Sequence, residues 1–293
     1  MLGKCRTFLP RCRGVFAERG QLCAEERNRC AQRMSIIPPM WLFAVKIAYD
    51  AAVSVGLALS PRLAAIAALV PDGKIVADIG TDHALLPTAL VVGGRIKRAI
   101  ACDRRVGPLA AARRTVAHYG VEDRVSLRLG DGLETIDEGE ADVVIIAGMG
   151  SESLRSILSA GLDLLPSIER LVLQPNGEVE PVRRWLVSRG WDLVDERLVE
   201  DRGRYYTVVA AEAAIGGRRH YVAADWHLGP ILRHRGGSLF ERFVAAELRR
   251  CELALAAVRR APIPKRRRLA ALGATRALLL SELVGGATRP HTC

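Results

Sequence analysis

Between residues 59 and 212 the chain alternates short apolar runs with stretches of helical length, and this alternation limits the available folds more than any other feature. Ser60-Pro61 is a helix start, with Ser as N-cap and Pro in the first turn; an apolar helix over 62–69 then stops at Pro71-Asp72-Gly73. Strands are expected at 74–79, 98–102, 125–129, 141–147 and 170–173, separated by helices at 83–92, 108–119, 151–160 and 179–189. Two last strands, 191–198 and 204–211, meet at Asp201-Arg202-Gly203 as a hairpin. Strands spaced by helices of this length form a parallel, doubly wound α/β sheet of Rossmann-like type. The closing hairpin would add an antiparallel edge strand.

Charge divides the chain further. Residues 59–212 carry nineteen basic and twenty-three acidic side chains, net −4, whereas residues 213–293 carry fifteen and five, net +10. A compositional drift toward arginine would spread evenly, and this one does not. The pattern suits a catalytic body, 59–212, bearing a basic arm, 213–293, for a polyanion such as nucleic acid. Within the arm, Phe240, Phe243, Val244, Leu248, Cys251, Leu255 and Val258 recur at three- and four-residue steps. Pro262 and Pro264 break that helix, Lys265-Arg266-Arg267-Arg268 follows, and a second apolar helix runs to about Val284, giving a helical hairpin. The plainer alternative is a helix pair packed on the body with its arginines solvated.

Residues 1–58 show no periodicity. Met34 and Met40 are both possible starts, so this stretch reads as an N-terminal extension with no function assigned. Cys5, Cys12, Cys23 and Cys30 lack the C-x-x-C spacing of a metal site, and Cys102, Cys251 and Cys293 are scattered, so neither metal nor disulfide framework is expected and the chain reads as reduced and cytoplasmic. The apolar run 40–59 holds Lys46 and Asp50 near its middle and is not read as a membrane span.

Chemistry concentrates at the carboxyl ends of the strands. Ala77-Asp78-Ile79-Gly80-Thr81-Asp82-His83 joins the first strand to the first helix of the sheet, the position where such folds bind nucleotides, but Asp82 stands where a second glycine would serve a pyrophosphate. An acid there suits a cofactor that is cationic at that point and free of phosphate; S-adenosylmethionine fits, with Asp78 at its amino-acid end. Asp103, twenty-five residues on, ends the second strand where a carboxylate accepts two ribose hydroxyls. Asp131, between Gly130 and Gly132, is placed for an adenine amine. Gly148 and Gly150 around Met149 allow close approach of backbone to a flat ligand, and Gln174 and Asn176 put two amides beside the same mouth, suited to the pairing edge of an extruded base. On the residues alone, a nicotinamide oxidoreductase and a non-catalytic RNA-binding module remain open beside this reading.

Read in order, LSPRL at 59–63, ADIGTDHALLP at 77–87, Ala101-Cys102-Asp103 with Gly107-Pro108-Leu109, RLGDGL at 128–133, IAGMG at 146–150, LQPN at 173–176 and DWHLGP at 225–230 resemble the bacterial tRNA (adenine-22-N1)-methyltransferase family. The resemblance covers about Leu59 to Val284 and departs where Ser151 replaces a family glycine after AGMG. It implies a class I methyltransferase fold with a C-terminal coiled-coil-like helical domain, S-adenosyl-L-methionine as cofactor and tRNA as substrate, with no membrane and a monomeric state expected. Carried over, Asp78, Gly80, Asp82, His83, Asp103, Asp131, Gly132, Gly148 and Met149 would hold the cofactor, and Asp82, Gln174 and Asn176 would serve the reaction at the base.

Overall fold

The computed structural model describes residues 57–216, 219–261, 263 and 265–286; the expectations for the first fifty-six residues, including the four spaced cysteines, lie outside them. The order is α1 (Pro61–Ala67), β1 (Ile75–Ile79), α2 (Leu85–Val92), β2 (Arg98–Asp103), α3 (Val106–His118), β3 (Val125–Leu129), β4 (Val143–Gly150), α4 (Ser151–Ala160), β5 (Arg170–Asn176), α5 (Glu180–Ser188), β6 (Trp191–Asp201) and β7 (Arg204–Ala213). Four helices follow: α6 (Ala223–Leu228), α7 (Pro230–Arg235), α8 (Ser238–Arg260) and α9 (Arg266–Gly286). Among the described residues no helix is long and apolar enough to cross a membrane, and no acidic, His or Cys group could hold a metal ion.

The seven strands lie in the order β3-β2-β1-β4-β5-β7-β6, parallel except for β7. Strand alternation feeds two apolar layers. Val143 and Ile145 point with Val76, Ala99 and Val172 toward α1, α2 and α3, burying Ile66, Leu90 and Val116. Val144 and Ile146 point with Ile79, Ile100 and Leu171 toward α4 and α5, burying Leu154, Leu158 and Leu186. Both faces are covered, as a parallel sheet requires. The antiparallel strand is not at the edge as expected: β7 inserts between β5 and β6, using both of its ladders, and β6 takes the edge.

Ser60 caps α1 as expected, its Oγ accepting from Leu63 N at 3.3 Å. The helix after β1 starts two residues later than expected, because Asp82 and Ala84 both have left-handed backbone, with φ of 55° and 51°.

Residues 223–286 build a third, smaller core. Leu228 and Leu232 of α6 and α7 meet Phe240, Val244, Cys251 and Leu255 of α8 and Leu279 of α9, with Leu198 of β6 packed against them. The α8 stripe is the one the sequence spells. A buried ion pair joins this module to the sheet: Arg183 Nε of α5 donates to Glu196 Oε1 of β6 at 2.7 Å, both side chains about 1% exposed or less. The remaining valences of the pair go to α6 and α7 of the module. Arg183 Nη1 donates to the carbonyls of Trp226 and His227 at 3.0 and 3.1 Å, and Glu196 Oε2 accepts from Ile231 N at 3.0 Å. Gly229 sits directly over the pair; a Cβ there would lie 2.6 Å from Arg183 Nη2 and from Glu196 Oε2. That close approach explains the glycine of the DWHLGP segment.

Candidate active site

The carboxyl ends of β1, β2, β3 and β4 open onto a crevice of about 730 Å³. It brings together Asp78, Gly80, Asp82, His83, Asp103, Asp131, Gly132, Gly148 and Met149, nine of the residues singled out from the sequence. Arg62 and Leu63 of α1 and Ser153, Ser156 and Ile157 of α4 line it too, and sequence reading had not assigned them to it. The signal for Arg62 was present in LSPRL, a segment legible by itself only as a helix start.

The loop after β1 shows why a pyrophosphate is a poor guest. The amides of Gly80 and Thr81 both donate to the Cys102 carbonyl at 2.8 Å, and Asp82 N donates to Asp103 Oδ2 at 3.3 Å. The backbone donors that a dinucleotide would need are therefore spent on β2. Gly80, at φ 74°, adopts the left-handed turn and lets the Met149 methyl lie where a Cβ would be, 2.2 Å from that position.

Asp78 is 5% exposed and its Oδ2 accepts from Thr81 Oγ1 at 2.6 Å. Burial pushes its carboxyl up to about 6, and the charge of nearby Asp103 adds to the rise. Asp103 is also buried; its Oδ1 accepts from Arg105 N at 2.9 Å, leaving each oxygen one further lone pair. Asp82 and His83 stand at the rim, mostly exposed, with Asp82 Oδ2 3.7 Å from His83 Nε2. Asp131 is exposed at the head of the short turn after β3. Cys102, beside Asp103, is a buried thiol pushed up to about 11, and so is inert.

The two amides at the end of β5 depart from expectation. Gln174 is fully buried. Its Oε1 accepts from Arg62 Nη1 at 2.7 Å and Gly148 N at 3.1 Å, and its Nε2 donates to Pro175 O at 2.8 Å and Asn176 Oδ1 at 3.1 Å. All four of its hydrogen-bonding positions are filled, so none is left for a base edge. Asn176 is exposed, donates through Nδ2 to Gly148 O at 2.8 Å, and keeps one N–H and one lone pair free. It lines a second cavity, of about 1080 Å³, bounded by α5, β7, α8 and α9. Gly148, which lines the crevice, is the bulge in β4 opposite β5, gripped at both its N–H and its carbonyl.

A doubly wound sheet whose first loop turns its amides away from phosphate and lines the crevice with carboxylates defines a methyltransferase domain, and the family model for that domain matches residues 59–209. The chain belongs to the tRNA (adenine(22)-N(1))-methyltransferase family: it is 40% identical over 195 residues to the Bacillus subtilis (strain 168) protein of that name, covering 66% of this chain and 82% of the relative. The crystal structure of the B. subtilis m1A22 tRNA methyltransferase TrmK is similar, with TM-score 0.70 and 35% identity over 78% of this chain and 99% of that one. So is the Streptococcus pneumoniae protein Sp1610 in complex with S-adenosyl-L-methionine, with TM-score 0.70 and 32% identity over 77% and 99% of the two chains.

Proposed function

We propose that this enzyme transfers the methyl group of S-adenosyl-L-methionine to N1 of the adenine at position 22 of tRNA, acting as a cytoplasmic monomer. The observation that carries this reading is the crevice itself: acidic, about 730 Å³, with the amides of Gly80, Thr81 and Asp82 turned away from any phosphate. The residues fit the cofactor. Asp103 has lone pairs for two ribose hydroxyls, Asp131 lies exposed at the crevice for an exocyclic amine, and Asp78 and Asp82 oppose a cationic amino-acid end. When bound, the sulfonium supplies an electrophilic methyl carbon. Adenine N1 has its own lone pair, so the chain needs to position rather than deprotonate. Gln174 and Asn176 hold the Gly148 bulge rigid at the methyl end, and Asp82 stabilises the positive charge gained by the purine.

The second cavity suits the rest of the tRNA. Trp185, Tyr205 and Tyr206 line it together with Arg155, Arg184, Arg204 and Arg250, and Arg155 Nε is buried with no hydrogen-bond partner among the described residues. Aromatic faces and cations together favour unpaired nucleotides and their phosphates. We assign residues 59–212 to catalysis and 213–293 to tRNA binding. Within the latter, Lys265, Arg266, Arg267 and Arg268 are exposed and form no ion pair among the described residues. The plainer alternative of a solvated helix face leaves that clustering unexplained.

The test is incubation with radiolabelled S-adenosylmethionine and unmodified tRNA, followed by nucleoside analysis. Labelled 1-methyladenosine is expected, and none in a tRNA with guanine at position 22. No label in either would overturn the reading and favour a non-catalytic RNA-binding role.

A further inference from the structure

Resting on the tRNA reading above, we propose that the second cavity receives one unpaired nucleotide beside the methylated adenine, with Arg155 as the receptor for its phosphodiester and Tyr206 as the platform for its base.

Four arginines line that cavity, and two of them are already neutralised. Arg184 Nε donates to Glu180 Oε1 at 2.8 Å, and Arg250 is paired with Glu247. Arg155 and Arg204 have no carboxylate within ion-pair distance among the described residues. Against them stands one carboxylate without an ion pair there, the exposed Glu178. His227 lies beside the Arg184 pair, its Nδ1 3.7 Å from Glu180 Oε2. Two free cations less one free anion leave +1, the charge that a single phosphodiester balances.

Arg155 is the better placed of the two. It is half-buried on α4, and its Nε is an enclosed donor with no acceptor among the described residues. A buried donor without a partner is rare in a native fold, and an entering phosphate oxygen would complete this one. Arg204 is exposed, so its guanidinium can reach the same anion from the mouth.

The rings say what the phosphate is attached to. Trp185 Nε1 donates to Ser159 Oγ at 3.1 Å, and Tyr205 packs edge-on against Phe243 with centroids 5.7 Å apart. Tyr206 meets no other ring; it holds the Arg62 guanidinium over one face, 5.7 Å from its centre, and a ring held in that way keeps its other face for a base. Asn176, with one N–H and one lone pair free, supplies a partner for the base edge. The cavity and the crevice share no lining residue, so the base held here is a neighbour of the one methylated.

Binding of unmodified tRNA by the full chain over a salt series tests this, with calorimetry of S-adenosylhomocysteine as the control for the crevice. Arg155→Met should weaken tRNA binding roughly 10-fold and make the plot of log affinity against log salt shallower by about 0.7–0.9, the contribution of one phosphate. Because its Nε lacks a partner in the free protein, the variant should melt no lower than the unaltered chain, which a structural arginine would not allow. Tyr206→Leu should weaken tRNA roughly 5- to 100-fold with the salt slope unchanged, whereas Tyr206→Phe keeps the ring and should bind normally. S-adenosylhomocysteine affinity should hold in all three. A salt slope unchanged in Arg155→Met overturns the proposal, as does full tRNA affinity in Tyr206→Leu. Failure of the unaltered enzyme to bind tRNA would instead overturn the tRNA reading on which the proposal rests.

Discussion

The side-chain oxygen of Gln174 accepts the backbone N–H of Gly148 at 3.1 Å, fixing the β4 bulge that lines the crevice. The carbonyl of the same glycine is taken by Asn176 at 2.8 Å, so one peptide unit is held from both sides.

Gln174→Leu keeps the volume but orphans Gly148 N and the Arg62 guanidinium. Leaving buried donors unpaired costs about 1–3 kcal/mol each. The variant should unfold at lower denaturant by an amount in that range, and its turnover should fall at least tenfold. Full stability by urea titration, together with full activity, would show that the amide is dispensable.

Asp78 gives a pH dependence. With its carboxyl pushed up to about 6, it is ionised at pH 7 and largely protonated at pH 5. The cationic amino-acid end needs the ionised form, so affinity for S-adenosylhomocysteine is full above that value and declines as pH drops through it, by about tenfold between pH 7 and pH 5. Asp78→Asn should bind weakly and without that slope. Because the free protein pays for ionising a buried carboxyl, the same variant should melt at a higher temperature than the unaltered protein at pH 7.

Asp82 separates charge from backbone. At φ 55° it occupies a left-handed position that Asn tolerates nearly as well. Asp82→Asn should therefore melt with the unaltered enzyme while kcat falls, the loss tracking the missing carboxylate at the charged purine. An unchanged kcat with normal tRNA and cofactor KM would remove Asp82 from the mechanism.

The Arg183–Glu196 pair is expected to be costly to break. Removing one partner of a buried pair typically destabilises by about 3–5 kcal/mol, because the other charge is left unpaired. Arg183→Met should show this in chemical denaturation. A second change, Glu196→Leu, should restore part of the loss.

Deleting residues 240–293 would strip Leu228 and Leu232 of their apolar cover, so neutralisation is the cleaner test of tRNA contact. Changing Lys265, Arg266, Arg267 and Arg268 to Gln should raise the tRNA KM and reduce the slope of log affinity against log salt by up to about 3, with S-adenosylhomocysteine binding untouched. An unaltered slope would place the RNA elsewhere.

Much of this architecture was legible from the sequence. The bounds of β3 and α4 and the apolar stripe of α8 follow from periodicity, because burial there follows residue type directly. The start of α2 was not, since nothing in Asp82 or Ala84 announces left-handed backbone. The two six-residue helices α6 and α7 are too short to carry a period. At the site, the carboxylates at the strand ends share one crevice because the sheet must bring them together. Gln174 differs for a complementary reason: an amide at a strand end is polar by composition, yet Arg62, Gly148, Pro175 and Asn176 between them fill every valence. Arg62 escaped because its meaning depends on β4 and β5, more than eighty residues away.

The insertion of β7 between β5 and β6 has a consequence for synthesis on the ribosome. Until residues 204–213 emerge, the outer rim of β5 has no neighbour to pair with, and β6 has no place to dock. Interrupted translation just short of that point leaves a sticky, half-finished sheet that chaperones must shield, so premature stops there are expected to yield insoluble fragments rather than a smaller working enzyme.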